Sequence, residues 1–274
     1  MSPLLEVRAA TVAFGGGRAA APKLALRDVS LTLPAEPSIT AIVGESGSGK
    51  TTMTRLMLRL QDPTRGTVHY DGQDLKGLDR AAFLRYRREV QAVFQDPFGV
   101  YNPFYKIDRS LLLPLRRFGI AATRDEAYEL ARQSLEAVGL RPGDTLGRYP
   151  HQLSGGQRQR VMIARALSLR PRIIVADEPV SMVDASLRAT ILESLYRLKV
   201  ERNVSLLYVT HDLTTAYQIA DRIVVMFNGE IVEEGDPESV IHQPRHAYTR
   251  LLVSAVPPAD PKVNWGLENG ALAA

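Results

Sequence analysis

Cysteine is absent from the 274 residues, which excludes disulfides, thiolate zinc sites, iron–sulfur clusters and a cysteine nucleophile. That absence fits a reducing compartment. Long apolar runs are missing as well. Leu111–Leu113 is ended by Pro114, far short of the roughly 20 residues that a membrane helix needs. The amino terminus carries Glu6 and Arg8 where a secretory signal needs an apolar stretch. A soluble chain is therefore expected, with any membrane role supplied by a partner. There is no internal repeat and no long low-complexity run. Charge of one sign is also lacking: 34 Lys and Arg against 30 Asp and Glu give +4, too small a surplus to imply nucleic acid. With 45% hydrophobic and 23% charged residues, the chain can bury a sizeable core as one large domain or one domain with an insertion.

Residues 4–14 and 24–33 alternate as strands around a loose Gly15–Gly17 loop. Ile39–Val43 is an apolar run suited to a strand buried on both faces, and Thr51–Leu60 follows as a helix. A strand at Gly66–Tyr70, a basic helix at Arg80–Glu89 and a strand at Val90–Phe94 come next. From about residue 97 to 155 strand patterns vanish, and helices are predicted near Ile107–Leu115 and Arg124–Val138. Strands then return at Ile173–Ala176, Val204–Val209 and Ile223–Phe227, separated by helices at Leu187–Lys199 and Leu213–Ala220. Alternation of this length predicts an α/β parallel sheet with crossover helices, carrying a helical insertion at about 97–165.

The segment Gly44-Glu45-Ser46-Gly47-Ser48-Gly49-Lys50-Thr51, followed by Thr52, matches G-x-x-x-x-G-K-[ST]. Glycines let backbone N–H groups turn toward phosphate oxygens, and the next helix offers its positive end. Lys50 neutralises phosphate charge and the Thr51 hydroxyl suits Mg²⁺. A chance match arises in about one chain per hundred of this size. A second motif is the apolar strand Ile173–Ala176 ending in Asp177 and Glu178. Ligands gather at the carboxyl ends of parallel strands, so Asp177 is placed for the Mg²⁺ shell and Glu178 for the attacking water. Alone, an acidic pair is more often a solvated loop. Gln95 and His211 follow two other strands, and their common edge gives them candidate roles as Mg²⁺ and γ-phosphate sensors.

Leu153-Ser154-Gly155-Gly156-Gln157 opens a helical stretch, Arg158–Leu169, stopped by Pro171. It forms a second anion-binding helix start, and one nucleotide does not need two so far apart; a facing subunit's nucleotide would resolve this. Together these motifs resemble the ABC ATPase family over residues 1–256, leaving a tail at 257–274. The resemblance implies a P-loop NTPase (RecA-like) core with an antiparallel β subdomain, an inserted α-helical subdomain, and a head-to-tail dimer sandwiching two ATP. It further implies that Gln95 contacts Mg²⁺ and the membrane subunit, that Asp184 couples the two sites, that His211 is the switch histidine, and that Phe14 stacks on adenine. Implied partners are transmembrane permease subunits, a second ATPase subunit and, indirectly, a solute-binding protein, with the chain peripheral on the cytoplasmic face of the membrane.

Val93–Phe98 with Asn102-Pro103, and His246–Leu252 before Ser254–Pro257, resemble the oligopeptide/dipeptide importer branch. Ala247 stands where that branch often has proline. Ser181-Met182-Val183-Asp184 is closer to members associated with saccharide uptake, so peptide and oligosaccharide both remain open. A non-transport ABC ATPase acting on nucleic acid or ribosomes is the rival. Its support is the arginines of the Arg80–Glu89 helix, which more often form a solvated face. A small-molecule kinase sharing the phosphate loop would leave Leu153–Gln157 unexplained.

Overall fold

The computed structural model describes residues 3–15, 22–181, 183 and 185–255. Two sheets and a helical arm make up the architecture. The smaller sheet is antiparallel, with β1 (Leu5–Phe14) paired to both β2 (Lys23–Leu33) and β4 (Arg65–Tyr70), and β5 (Gln73–Asp74) beyond β4. The larger sheet takes the order β10-β9-β3-β8-β7-β6, from β3 (Ile39–Val43), β6 (Val90–Val93), β7 (Ile173–Asp177), β8 (Ser205–Thr210), β9 (Arg222–Phe227) and β10 (Glu230–Gly235). Five of its strands are parallel; β10 folds back antiparallel at the edge, an element the sequence reading left unassigned.

Central strands here lack polar alternation because both their faces are covered. Ile39, Ala41 and Val43 enter one core while Ile42 enters the other; Ile174 and Ala176 oppose Ile173 and Val175; Leu206 and Tyr208 oppose Leu207 and Val209. The first core lies under α7 (Ala185–Arg202), α8 (Leu213–Ile219) and the arm; the second lies against the antiparallel sheet and α1 (Lys50–Met57). The helix expected over Thr51–Leu60 therefore stops three residues early, where Leu58 caps it and Arg59 turns to φ 49°. Between the sheets, α2 (Arg80–Glu89) leads into β6.

The helical arm comprises α3 (Ile107–Arg117), α4 (Arg124–Ala137), the short α5 (Pro142–Thr145) and α6 (Gly155–Ser168). On α3 the buried residues are Ile107, Leu111 and Leu115, and on α4 they are Ala127, Ala131 and Leu135, each spaced by one helical turn. Each fully buried Leu contributes about 1.5–3 kcal/mol. The two alanines let α4 lie close on α6. Since α6 also packs on β6, it joins the arm to the sheet, and the expected limit near 165 falls inside this helix. After β10 come α9 (Pro237–His242) and α10 (Ala247–Ser254), which complete the described chain. No helix among the described residues is long and apolar enough to cross a membrane.

In β4 Gly66 sits at φ 83°, opposite the irregularity in β1 where Ala9 takes φ 46°. A Cβ there would fall 2.4 Å from the carbonyl oxygens of both Arg8 and Ala9. Gly66→Ala is expected to lower the unfolding free energy by at least about 2 kcal/mol. Chemical denaturation against the wild type checks this, and an unchanged midpoint would remove the close approach as its cause.

Candidate functional site

Register builds the site before any side chain does. Val43 pairs with Thr210, Asp177 with Val209 and Ala176 with Val93, so the carboxyl ends of β3, β6, β7 and β8 share one edge of the sheet. Gly44–Gly49, Gln95, Glu178 and His211 emerge there together.

The loop after β3 is shaped by close approaches as well as by glycine φ angles. Gly44 has φ 153°, and a Cβ on it would sit 2.2 Å from the Met226 carbonyl oxygen. At Gly49, with φ 108°, a Cβ would lie 2.7 Å from the Ala25 carbonyl oxygen. Gly47 is left-handed at φ 86° and faces open space. Lys50 is only 6% exposed and donates from Nζ to the carbonyls of Gly44 at 2.6 Å and Glu45 at 2.8 Å. Ser48 N–H closes a turn onto Glu45 O, and the buried Ser48 hydroxyl finds no partner among the described residues. The first N–H groups of α1, at Lys50, Thr51 and Thr52, have no acceptor within the helix by geometry. An unpaired buried hydroxyl, a buried ammonium and free N–H groups in a loop with no room for side chains at Gly44 and Gly49 form a site chemically suited to phosphate.

Beside this loop, Asp177 is half-buried, and its best donor is the Thr54 hydroxyl at 3.4 Å. Desolvation, then the neighbouring Glu178 charge, pushes its pKa up. Burial pulls the Lys50 pKa down. Glu178 turns the backbone out of β7 at φ 46°, held by its N–H to Val209 O at 2.8 Å and by the Ser181 hydroxyl on its own carbonyl at 2.9 Å. That turn brings its carboxylate between two other predicted residues. Gln95 donates from Nε2 to Glu178 Oε2 at 2.9 Å, and His211 Nδ1 lies 3.2 Å from Oε1. Among the described residues no group of three or more His, Cys, Asp or Glu is placed to hold a metal ion by itself.

Other predicted residues fall elsewhere. The structure starts α6 at Gly155, earlier than the expected Arg158, with Ser154 as its N-cap. The Ser154 hydroxyl accepts Gln157 N–H at 3.2 Å, and the Gln157 side chain accepts Ser154 N–H at 2.8 Å. Leu153 is turned into the core at 4% exposed, and a Cβ on Gly156 would meet Leu187 at 2.8 Å. No hydrogen bond or ion pair among the described residues joins Leu153–Gln157 to Gly44–Thr52. Phe14 ends β1 with 44% of its surface exposed. Asp184 lies outside the described residues, as do the tail after residue 255 and most of the Gly15–Gly17 loop.

Sequence reasoning missed three contributors. Gly229 donates to Ser48 O at 3.0 Å, Thr54 reaches Asp177, and Tyr248 accepts the Glu45 N–H at 2.8 Å. None has a local signal, because each acts across a long separation in the chain.

The ABC transporter family model matches residues 26–181, and the model of the oligopeptide/dipeptide transporter C-terminal region matches 232–271. A peptide import ATP-binding protein of Brucella ovis is 44% identical over 95% of this chain and 80% of its own length. The chain belongs to the ABC transporter family. It is an ATP-binding, ATP-hydrolysing subunit of an importer in the oligopeptide/dipeptide branch of that family. The oligopeptide transport ATP-binding protein YkfD of Bacillus subtilis is 40% identical over 95% of this chain and 78% of its own. Among solved structures, the ATP-binding cassette MJ0796, a dimer in a post-hydrolysis state with ADP and Pi, superposes with TM-score 0.76 at 31% identity. It covers 85% of this ABC subunit and 98% of that chain.

Because the Asp177 pKa is raised, the folded state holds that proton more tightly than the unfolded chain. Its ionised form therefore costs stability at neutral pH, and the cost disappears as pH falls through the raised pKa toward the ordinary carboxylate range. Asp177→Asn is expected to raise the melting temperature of nucleotide-free protein by about 2–4 °C at neutral pH. Melting curves taken at decreasing pH should show that gain shrinking. A gain that grows on acidification would contradict the assignment.

Proposed function

We propose that Gly44–Thr52 cradles the triphosphate of ATP, that Glu178 is the base for the attacking water, and that Gln95 and His211 hold it in place. The observation that carries this reading is the Glu178 carboxylate gripped from both sides beside a lysine-bearing phosphate loop. With γ-phosphate at the end of Lys50, Glu178 takes the proton of the water as its oxygen attacks phosphorus, and ADP leaves. Mg²⁺ fits the under-compensated Asp177. It would be held by the Thr51 hydroxyl, Gln95 and, through its shell, Asp177, and would supply positive charge to the phosphate oxygens. Phe14 is proposed to stack on adenine.

Leu153–Gln157 is proposed to meet the ATP of a facing subunit, with Asp184 linking the two sites. The support is twofold: an exposed Ser154 at a helix start with no bond to this chain's own cradle, and the dimeric form of the related cassette. ATP then shifts the subunit pair toward closure because it gains contacts only there. Closure would drive permease subunits on the inner face of the membrane, met by the arm. The solute is proposed to be of peptide class, as the names of the Brucella and Bacillus relatives indicate, delivered by a solute-binding protein.

Two variants test the site. Lys50→Ala should weaken ATP binding about 100-fold in an equilibrium assay. Glu178→Gln should keep ATP, accumulate as a dimer by light scattering, and lose turnover by about 10²- to 10⁴-fold. Wild-type ATP affinity in the first, or wild-type turnover in the second, would refute the corresponding role.

A further inference from the structure

Tyr248 lies on α10, within the segment matched by the oligopeptide/dipeptide C-terminal model, yet its hydroxyl reaches the phosphate loop. It accepts the backbone N–H of Glu45 at 2.8 Å across 203 positions of the chain. The ring is fixed by stacking on Phe227 at the end of β9, with centroids 4.2 Å apart and planes inclined by 27°, and the residue is 9% exposed.

The approach to α10 is anchored in turn. The Glu233 carboxylate on β10 accepts the N–H groups of Arg245 at 2.8 Å and His246 at 2.9 Å. His246 Nδ1 then caps the helix by accepting Tyr248 N–H at 3.2 Å. In the β9–β10 turn, Gly229 grips Ser48 O. The β9–β10–α10 unit thus holds the loop at two points, Glu45 N and Ser48 O.

We propose that Tyr248 is a positioning residue for ATP binding, a strut by which the C-terminal segment pre-sets the phosphate loop. The proposal rests on reading Gly44–Thr52 as the ATP cradle. Three residues of that loop adopt left-handed φ, at Gly44, Gly47 and Gly49, so its backbone is the kind that samples widely when untethered. The Glu45 carbonyl accepts Ser48 N–H within the loop itself, and it and the Gly44 carbonyl are both held by Lys50 Nζ. That ammonium is the group the triphosphate competes for. The bond from Glu45 N–H to an uncharged hydroxyl does not compete with phosphate, so it goes on fixing the loop when Lys50 turns to the ligand. Ordering the loop beforehand lowers the entropy lost on binding.

Tyr248→Phe in the full-length chain tests the strut, since the ring and its stack on Phe227 stay. The expected results are a 3- to 10-fold rise in the Kd and KM for Mg-ATP, about the loss of one net hydrogen bond. Turnover at saturating ATP should stay within about twofold, the melting temperature close to wild type, and the Glu45 amide should exchange hydrogen faster by mass spectrometry. Unchanged Kd with unchanged Glu45 protection would overturn the proposal. So would a joint fall in kcat and melting temperature without a selective rise in Kd, which marks a purely structural role. If wild-type protein in the same assay binds no ATP, the cradle reading fails first and the strut with it.

Discussion

Parallel register between β3, β8, β7 and β6 is the constraint on which the remaining structure depends. Strands buried on both faces cannot slip by a residue without exchanging their two cores, so Ile42 and Val43, or Ile173 and Ile174, hold the register firmly. With the register held, the strand ends are held, and so are the residues one step beyond them. A carboxylate, an amide and an imidazole drawn from three separate strands meet at Glu178 for this reason. Backbone strain at Glu178 is tolerated because its N–H is still paired to Val209.

Charge explains how such a site favours its ligand. Lys50 is buried while charged, and Asp177 is half-buried beside the Glu178 charge, only partly offset by Lys50 and the Thr54 hydroxyl, so both pKa shifts run against the charged forms. In the proposed reading, each group is held in a state that an incoming phosphate or Mg²⁺ would relieve. Preorganised groups of this kind lose little on binding, because the fold has already met their desolvation cost. The loop around them is kept narrow by the carbonyls of Met226 and Ala25, which leave no room for side chains at Gly44 and Gly49.

The arm solves a different problem. α6 carries Ser154 at its exposed start and packs along β6, where Arg165 donates to Ala92 O at 3.0 Å and, nearer the start, Gln159 donates to Phe94 O at 3.2 Å, one residue before Gln95. One helix therefore connects Leu153–Gln157 to the backbone just before Gln95. Gly156 packs against Leu187 of α7, a contact that its sequence pattern does not encode.

Much of this was legible from residue order. Apolar runs ending in Asp177-Glu178, Gln95 and His211, a G-x-x-x-x-G-K-T loop and a capped helix at Ser154 are local patterns, and local patterns follow from side-chain period and backbone freedom. Those features are determined by the sequence itself, down to most element boundaries. The edge strand β10, the Gly229 and Tyr248 tethers, the Thr54–Asp177 contact and the closeness of Gln95 to Glu178 were decided only by tertiary structure. Each is a hydrogen bond or pairing whose partner is set by sheet order, and no periodicity along the chain encodes which distant residue the fold will bring alongside.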